Sequence, residues 1–226
     1  MDRRRYLQSI AATGVVGAAG CLDSLPVGDS RTVLDAPERD FSAAPHPSYD
    51  DEMPEVSFPD PLLDEEISTR DFEGERAFLM TFIYTNCPDG MCPALTLRLR
   101  RAQQVASEAG YGDDAAFLSV TFDPERDTAD VLETYGTEQG VDLDAGNWHF
   151  LRPERYETGA EVLEENFGLV IEKVETEEFD DLEYGFPHYN LILLVNEGGI
   201  VERAYPDGAT VDVDRVVEDF ETVVSG

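Results

Sequence analysis

Two cysteines, Cys87 and Cys92, stand in the segment Asn86-Cys-Pro-Asp-Gly-Met-Cys-Pro93, with four residues between them. Pro93 is suited to open a helix, which puts both thiols at a helix start. The helix dipole and its unpaired N–H groups favour thiolate there, the form that attacks disulfides and binds soft metals. An oxidising compartment would also suit a purely structural disulfide between them. The third group is His188, in Phe186-Pro-His-Tyr189, where Pro187 bars a helix. Two thiolates and an imidazole form a soft donor set that suits Cu(I), and with thiolate and imidazole together also Cu(II). Structural zinc wants four ligands, and with Cys21 expected to carry lipid no further cysteine or nearby histidine completes that set. Met91 is a thioether in the same loop, although a loop methionine more often packs or is exposed. His46, in a Pro-rich stretch, reads as solvated, and His149, between Trp148 and Phe150, as a core residue.

The elements that must position these groups follow from apolar patterning. Ala77–Tyr84 and Ala115–Phe122 are continuous apolar runs of strand length. Between them, Leu95, Leu99, Ala102 and Ala106 form one helical stripe from Pro93 to about Ala109, closed by Gly110. Thr128 to about Gln139 and Pro153 to Phe167 read as helices, and Trp148–Leu151 and Leu169–Val174 as strands. An acidic, irregular insertion spans Glu175–Tyr184. Asn190–Val195 turns through Asn196-Glu-Gly-Gly199 into Ile200–Tyr205, a hairpin, and Val213 to Val224 forms a last helical stripe. The order β-α-β-α followed by β-β-α predicts an α/β fold: a central mixed sheet flanked by helices, with a terminal β-hairpin and a C-terminal helix. A cysteine pair at the first strand-to-helix turn is the thioredoxin-type arrangement.

The chain has 226 residues, with 49 Asp+Glu against 16 Lys+Arg and a net charge of −33. That excludes a general nucleic-acid binder, which needs a basic surface. An apolar content of 42% is too high for a disordered chain. The acids are spread along the whole length, and Lys173 is the only lysine. Adaptation to molar salt accounts for both: carboxylates hold water and cations, and concentrated salt screens their repulsion. The composition therefore points to an extremely halophilic archaeon.

Residues 1–20 read as a signal peptide, with Arg3-Arg4-Arg5-Tyr-Leu-Gln8 before a short apolar run that ends Ala18-Ala-Gly-Cys21. The first element is similar to a twin-arginine export signal and the second to a lipobox. Cys21 is then the lipid-attachment residue, and the protein is expected on the outer face of the cytoplasmic membrane. Residues 21–51, punctuated by Pro26, Pro37, Pro45 and Pro47, read as a flexible tether, and residues 52–226 as one domain.

Four segments resemble the Sco/SenC family of thioredoxin-like copper proteins, and they occur in family order. They are Phe82-Ile-Tyr-Thr-Asn-Cys-Pro-Asp-Gly-Met-Cys-Pro93, Ser119-Val-Thr-Phe-Asp-Pro-Glu-Arg-Asp-Thr128, Trp148-His-Phe-Leu151 and His188-Tyr-Asn-Leu-Ile-Leu-Leu-Val-Asn196. The resemblance implies a thioredoxin fold and copper held by Cys87, Cys92 and His188; the lipid-anchored protein is expected to be a monomer. The resemblance also implies a role in delivering copper to, or reducing the cysteines of, the copper A site of a haem-copper oxidase subunit. The family places three residues between its cysteines, whereas this chain has Pro88, Asp89, Gly90 and Met91. Gly90 offers a way to loop the extra residue outward, because glycine takes φ > 0 freely. Asp123 is expected to brace the loop beside the site. The alternative function is a thiol-disulfide oxidoreductase that uses the Cys87/Cys92 dithiol without metal; His188 separates the two, because a dithiol reductase does not need it.

Overall fold

The computed structural model describes residues 31–175, 183–187 and 190–226. Residues 1–30, with Cys21 and the segment read as an export signal, most of the acidic insertion, and His188 with Tyr189 lie outside the described residues. Two strands form the spine. β3 (Ala77–Ile83) and β4 (Ala115–Thr121) are buried along all seven residues each and run parallel, Ala77 opposite Ala115. Strands buried on both faces read as continuous rather than alternating apolar runs, which is why they are legible. β5 (Trp148–Leu151) lies parallel to β4, β8 (Ile192–Val195) antiparallel to β3, and β9 (Val201–Tyr205) antiparallel to β8. The sheet order is β5-β4-β3-β8-β9. The predicted mixed sheet, terminal hairpin and C-terminal helix are therefore present.

Side-chain alternation along the strands sorts the helices into two layers. Phe117 of β4 meets Phe220 of α4 (Val213–Ser225), with centroids 5.5 Å apart, and α4 packs beside α1 (Met91–Ala109). Phe150 of β5, on the same face, meets Tyr135 of α2 (Ala129–Glu138). The opposite face carries Phe82, which packs on Phe167 of α3 (Tyr156–Phe167) at 4.9 Å. These two layers around a mixed sheet, with the cysteine loop between β3 and α1, make the fold thioredoxin-like. Among the described residues, no helix is long and apolar enough to cross a membrane.

Four local expectations need correction. α1 begins at Met91 rather than Pro93, which puts Cys92 inside the first turn; Pro93 still costs no bond, because the first four N–H groups of a helix lack partners. α3 begins at Tyr156, after Pro153. The strand expected over 169–174 shrinks to β6 (Val174–Glu175), paired with β7 (Tyr184–Gly185). Leu169 and Ile171 are buried by packing, without a partner strand. A hairpin of β1 (Ser57–Asp60) and β2 (Glu65–Ser68) was not anticipated. Asp60 on it accepts from His149 Nδ1 at 3.2 Å, and both are buried, so His149 is the core histidine expected.

The stretch 31–51, assigned to the tether by composition, has no helix or strand yet holds onto the domain. Glu202 on β9 is fully buried and accepts from Val33 N at 2.7 Å, Leu34 N at 2.9 Å and Asn196 Nδ2 at 2.6 Å. Asp50 N donates to Val201 O, and Val201 N to Asp51 O. These bonds cover β9, a sheet edge whose backbone groups would otherwise invite pairing with another chain.

Candidate functional site

β3 delivers the chain to Tyr84, which is buried, and the backbone then turns through Thr85 and Asn86 to Cys87. Cys87 is half-buried and Cys92 fully buried beneath it. Cys92 N donates to Cys87 Sγ at 3.4 Å, and Tyr84 N to Cys92 Sγ at 3.5 Å. Asp89 Oδ1 accepts from Cys87 Sγ at 2.8 Å and from Met91 N at 3.0 Å. Both sulfurs thus belong to one hydrogen-bonded turn. The extra residue is absorbed where expected: Gly90 sits at the helix N-cap with φ +75°. A Cβ there would meet nothing within 4 Å, so the demand for glycine is conformational and not steric.

Cys92 departs from the thiolate expectation. Burial pushes its thiol well above the ordinary value, and its hydrogen bond with Cys87 adds to the shift. Desolvation therefore outweighs the helix terminus at this position. A half-exposed sulfur above a buried, protonated one is an asymmetric pair, with Cys87 the sulfur in reach of solvent. Met91 is half-buried and packs against the core.

Two acids of the segment Asp123-Pro-Glu-Arg-Asp127 tie the surroundings together. Asp127 is fully buried; it accepts from Thr85 Oγ1 at 2.5 Å, from Thr85 N at 3.2 Å and from the Thr121 hydroxyl. It thereby fixes the turn two residues before Cys87. Asp123 braces the other side, as expected, accepting from Tyr184 Oη at 2.9 Å. Arg126 Nη2 donates to Tyr184 O at 3.0 Å. Phe186, two residues further on, is buried with its ring 5.2 Å from Tyr84, 5.3 Å from Phe122 and 5.8 Å from Tyr156. The segment that runs toward His188 is thus packed onto the residue that follows β3 and opens the cysteine turn.

The structure brings Cys87 and Cys92 together and anchors the chain up to Phe186; His188 falls outside the described residues. Among the described residues, no three His, Cys, Asp or Glu side chains converge as a metal site. His46 makes a local contact, Nδ1 to Pro47 O at 2.9 Å. Sequence reading quoted Asp127 without giving it a role, and missed the Tyr84, Phe122 and Phe186 cluster.

Asp127 carries a testable pH dependence. Burial, the largest influence, raises its carboxyl from 3.8 to about 6, against the lowering effect of the threonine hydrogen bonds. Between these values the folded state holds a proton that the unfolded state has released. Stability from this group is therefore full below about 3.8 and is lost as pH rises through 6, on the order of 3 kcal/mol in all. Asp127→Asn mimics the protonated acid. In denaturant unfolding at fixed ionic strength, wild-type stability minus that of the variant should fall between pH 4 and 7; a flat difference would remove the buried-acid assignment.

The family model described as SCO1/SenC matches residues 63–225. None of the curated proteins matches the chain in sequence. Among solved structures, a SCO1/SenC family lipoprotein from Bacillus anthracis aligns at TM-score 0.62 and 20% identity, over 78% of this chain and 96% of that one. Bradyrhizobium japonicum ScoI with copper bound aligns at TM-score 0.60 and 20% identity, over 76% and 99%. BsSco, described by a disulfide switch and as a member of the Sco family of cytochrome c oxidase assembly proteins, aligns at 0.58 and 22%, over 80% and 96%. With a paired-cysteine turn between β3 and α1 of a thioredoxin-like sheet and a family model that matches most of its length, this chain belongs to the SCO1/SenC family.

Proposed function

We propose that this protein is a copper-binding assembly factor, which binds copper through Cys87, Cys92 and His188 and delivers it to the copper A site of a haem-copper oxidase subunit. The observation that carries this reading is the packing of Phe186 on Tyr84, which joins the approach to His188 to the start of the turn that carries the two thiols. The donor chemistry fits: two sulfurs in one turn, one of them half-exposed, and an imidazole reached from a second, anchored segment. Support also comes from the copper-bound Bradyrhizobium japonicum structure and from the oxidase-assembly description of BsSco. Lipid attachment at Cys21 would hold the protein, as a monomer, on the outer face of the cytoplasmic membrane.

A second reading is favoured by the asymmetry of the thiols. A half-buried Cys87 above a fully buried Cys92 is the arrangement of an attacking and a resolving sulfur, which suits a thiol-disulfide oxidoreductase. Substitution of His188 separates the two. His188→Ala should weaken copper binding by more than the roughly 100-fold upper range seen when groups outside the ligand shell are lost. It should leave the Cys87–Cys92 disulfide able to form. Copper titration of the reduced protein beside this variant, with thiol counting after oxidation, provides the measurement. Unchanged copper affinity in His188→Ala would favour the metal-free oxidoreductase.

A further inference from the structure

The approach to His188 contains a construction that the thiol pair does not require. The β6–β7 pair has two residues on each side, too little to hold a hairpin by its own hydrogen bonds. Tyr184, on its returning side, is held from three directions instead. Its hydroxyl donates to Asp123 Oδ1 at 2.9 Å, and its carbonyl accepts from Arg126 Nη2 at 3.0 Å. Over its ring lie two cations, with Arg126 Cζ 3.3 Å and Lys173 Nζ 3.7 Å from the centroid. Lys173 pairs in turn with Glu125 at 2.6 Å. This is the only lysine of the chain, and it stands beside the one tyrosine that lies four residues before His188.

A cation over an aromatic face is attracted by the ring quadrupole. Two such contacts, a hydroxyl bond and a carbonyl bond fix both the ring and the backbone of Tyr184. Asp123, Glu125 and Arg126 all belong to the segment whose last acid, Asp127, fixes Thr85 next to the cysteine turn. One rigid loop therefore holds the approaches to both halves of the site.

We propose that Tyr184, clamped by Asp123, Arg126 and Lys173, is a positioning residue for the imidazole arm of the copper site. This rests on the reading of His188 as a copper ligand. Tyr184 is not itself one of the proposed ligands. It sets where the segment to His188 starts, so that the imidazole is delivered without first ordering a loose loop. Ordering cost removed in advance appears as affinity.

The test is a double-mutant cycle with the reduced full chain, reading Cu(I) affinity by competition with a chromogenic chelator and reading thermal unfolding separately. Tyr184→Leu should weaken Cu(I) binding about tenfold, the low end for groups outside the ligand shell. Lys173→Gln, a substitution near the surface, should weaken it roughly threefold, the scale of one exposed cation–π contact. Tyr184→Phe keeps the ring under both cations and should recover most of the loss. In a His188→Ala background, Tyr184→Leu and Lys173→Gln should have no further effect, because the arm they position is gone. The inference is overturned if Tyr184→Leu and Lys173→Gln bind like wild type, or if they weaken binding equally with and without His188; that second result marks a merely structural role. Should Tyr184→Leu fail to fold, Lys173→Gln and Tyr184→Phe still decide the matter. If His188→Ala alone binds like wild type, the underlying ligand reading fails, a result distinct from the others.

Discussion

Moved from 3 M to 0.1 M KCl, the protein is expected to lose roughly 10–20 °C of melting temperature, the shift that about 5 kcal/mol produces in a domain of this size. The cause is its net charge of −33. Packing that many carboxylates onto one folded surface makes them repel one another, and the unfolded chain relieves this by spreading them. At 1 M salt the screening length is about 3 Å, shorter than most separations between surface charges, and at 0.1 M it is about 10 Å. The basic residues cannot offset the effect. Arg31 with Asp50 and Glu52, and Arg70 with Glu55 and Glu73, are exposed pairs, which contribute little each. Circular-dichroism melts across a KCl series check this. A melting temperature that stays level from 0.1 to 3 M would remove the molar-salt reading of the composition.

The parts of this fold that were legible are those whose signal is local. β3 and β4 announce themselves as unbroken apolar runs, and α1 as a stripe of Leu95, Leu99, Ala102 and Ala106 that is fully buried in the structure. Gly90 was legible because a specific conformational need met the one residue that satisfies it freely. Other features depend on partners distant in sequence. Residues 31–51 read as tether because nothing in their own composition shows that Glu202, 169 residues away from Val33, accepts their backbone N–H groups. β1 contains Pro59 and β2 opens on two glutamates, which hide a hairpin whose pairing is seen only in place. Leu169 and Ile171 carry the alternation of a strand but are buried against the core by packing alone. In the site, the thiol pair was legible from spacing and position. The contact of Tyr84 with Phe186 was not, because a ring contact between distant positions leaves no periodicity.

Replacing Cys87 by serine is expected to abolish copper binding and disulfide formation together, while leaving the fold intact. Cys87 is half-buried at a loop, so the swap creates no core cavity. A serine hydroxyl can still accept from Cys92 N and donate to Asp89 Oδ1. The change in stability should therefore stay within about 1 kcal/mol, as for most substitutions away from the core. The change in chemistry is large. A hydroxyl does not ionise near neutral pH and is a hard donor, whereas the proposed site is built on soft thiolate. The remaining sulfur, Cys92, is buried with its thiol pushed up, and is poorly placed to hold the metal alone.

Metal analysis of the reduced, copper-loaded and dialysed protein beside its Cys87→Ser variant is the most direct test of copper binding at this site. One copper per wild-type chain and none in the folded variant is the expected result. Equal copper in the two proteins, or none in either, would contradict it.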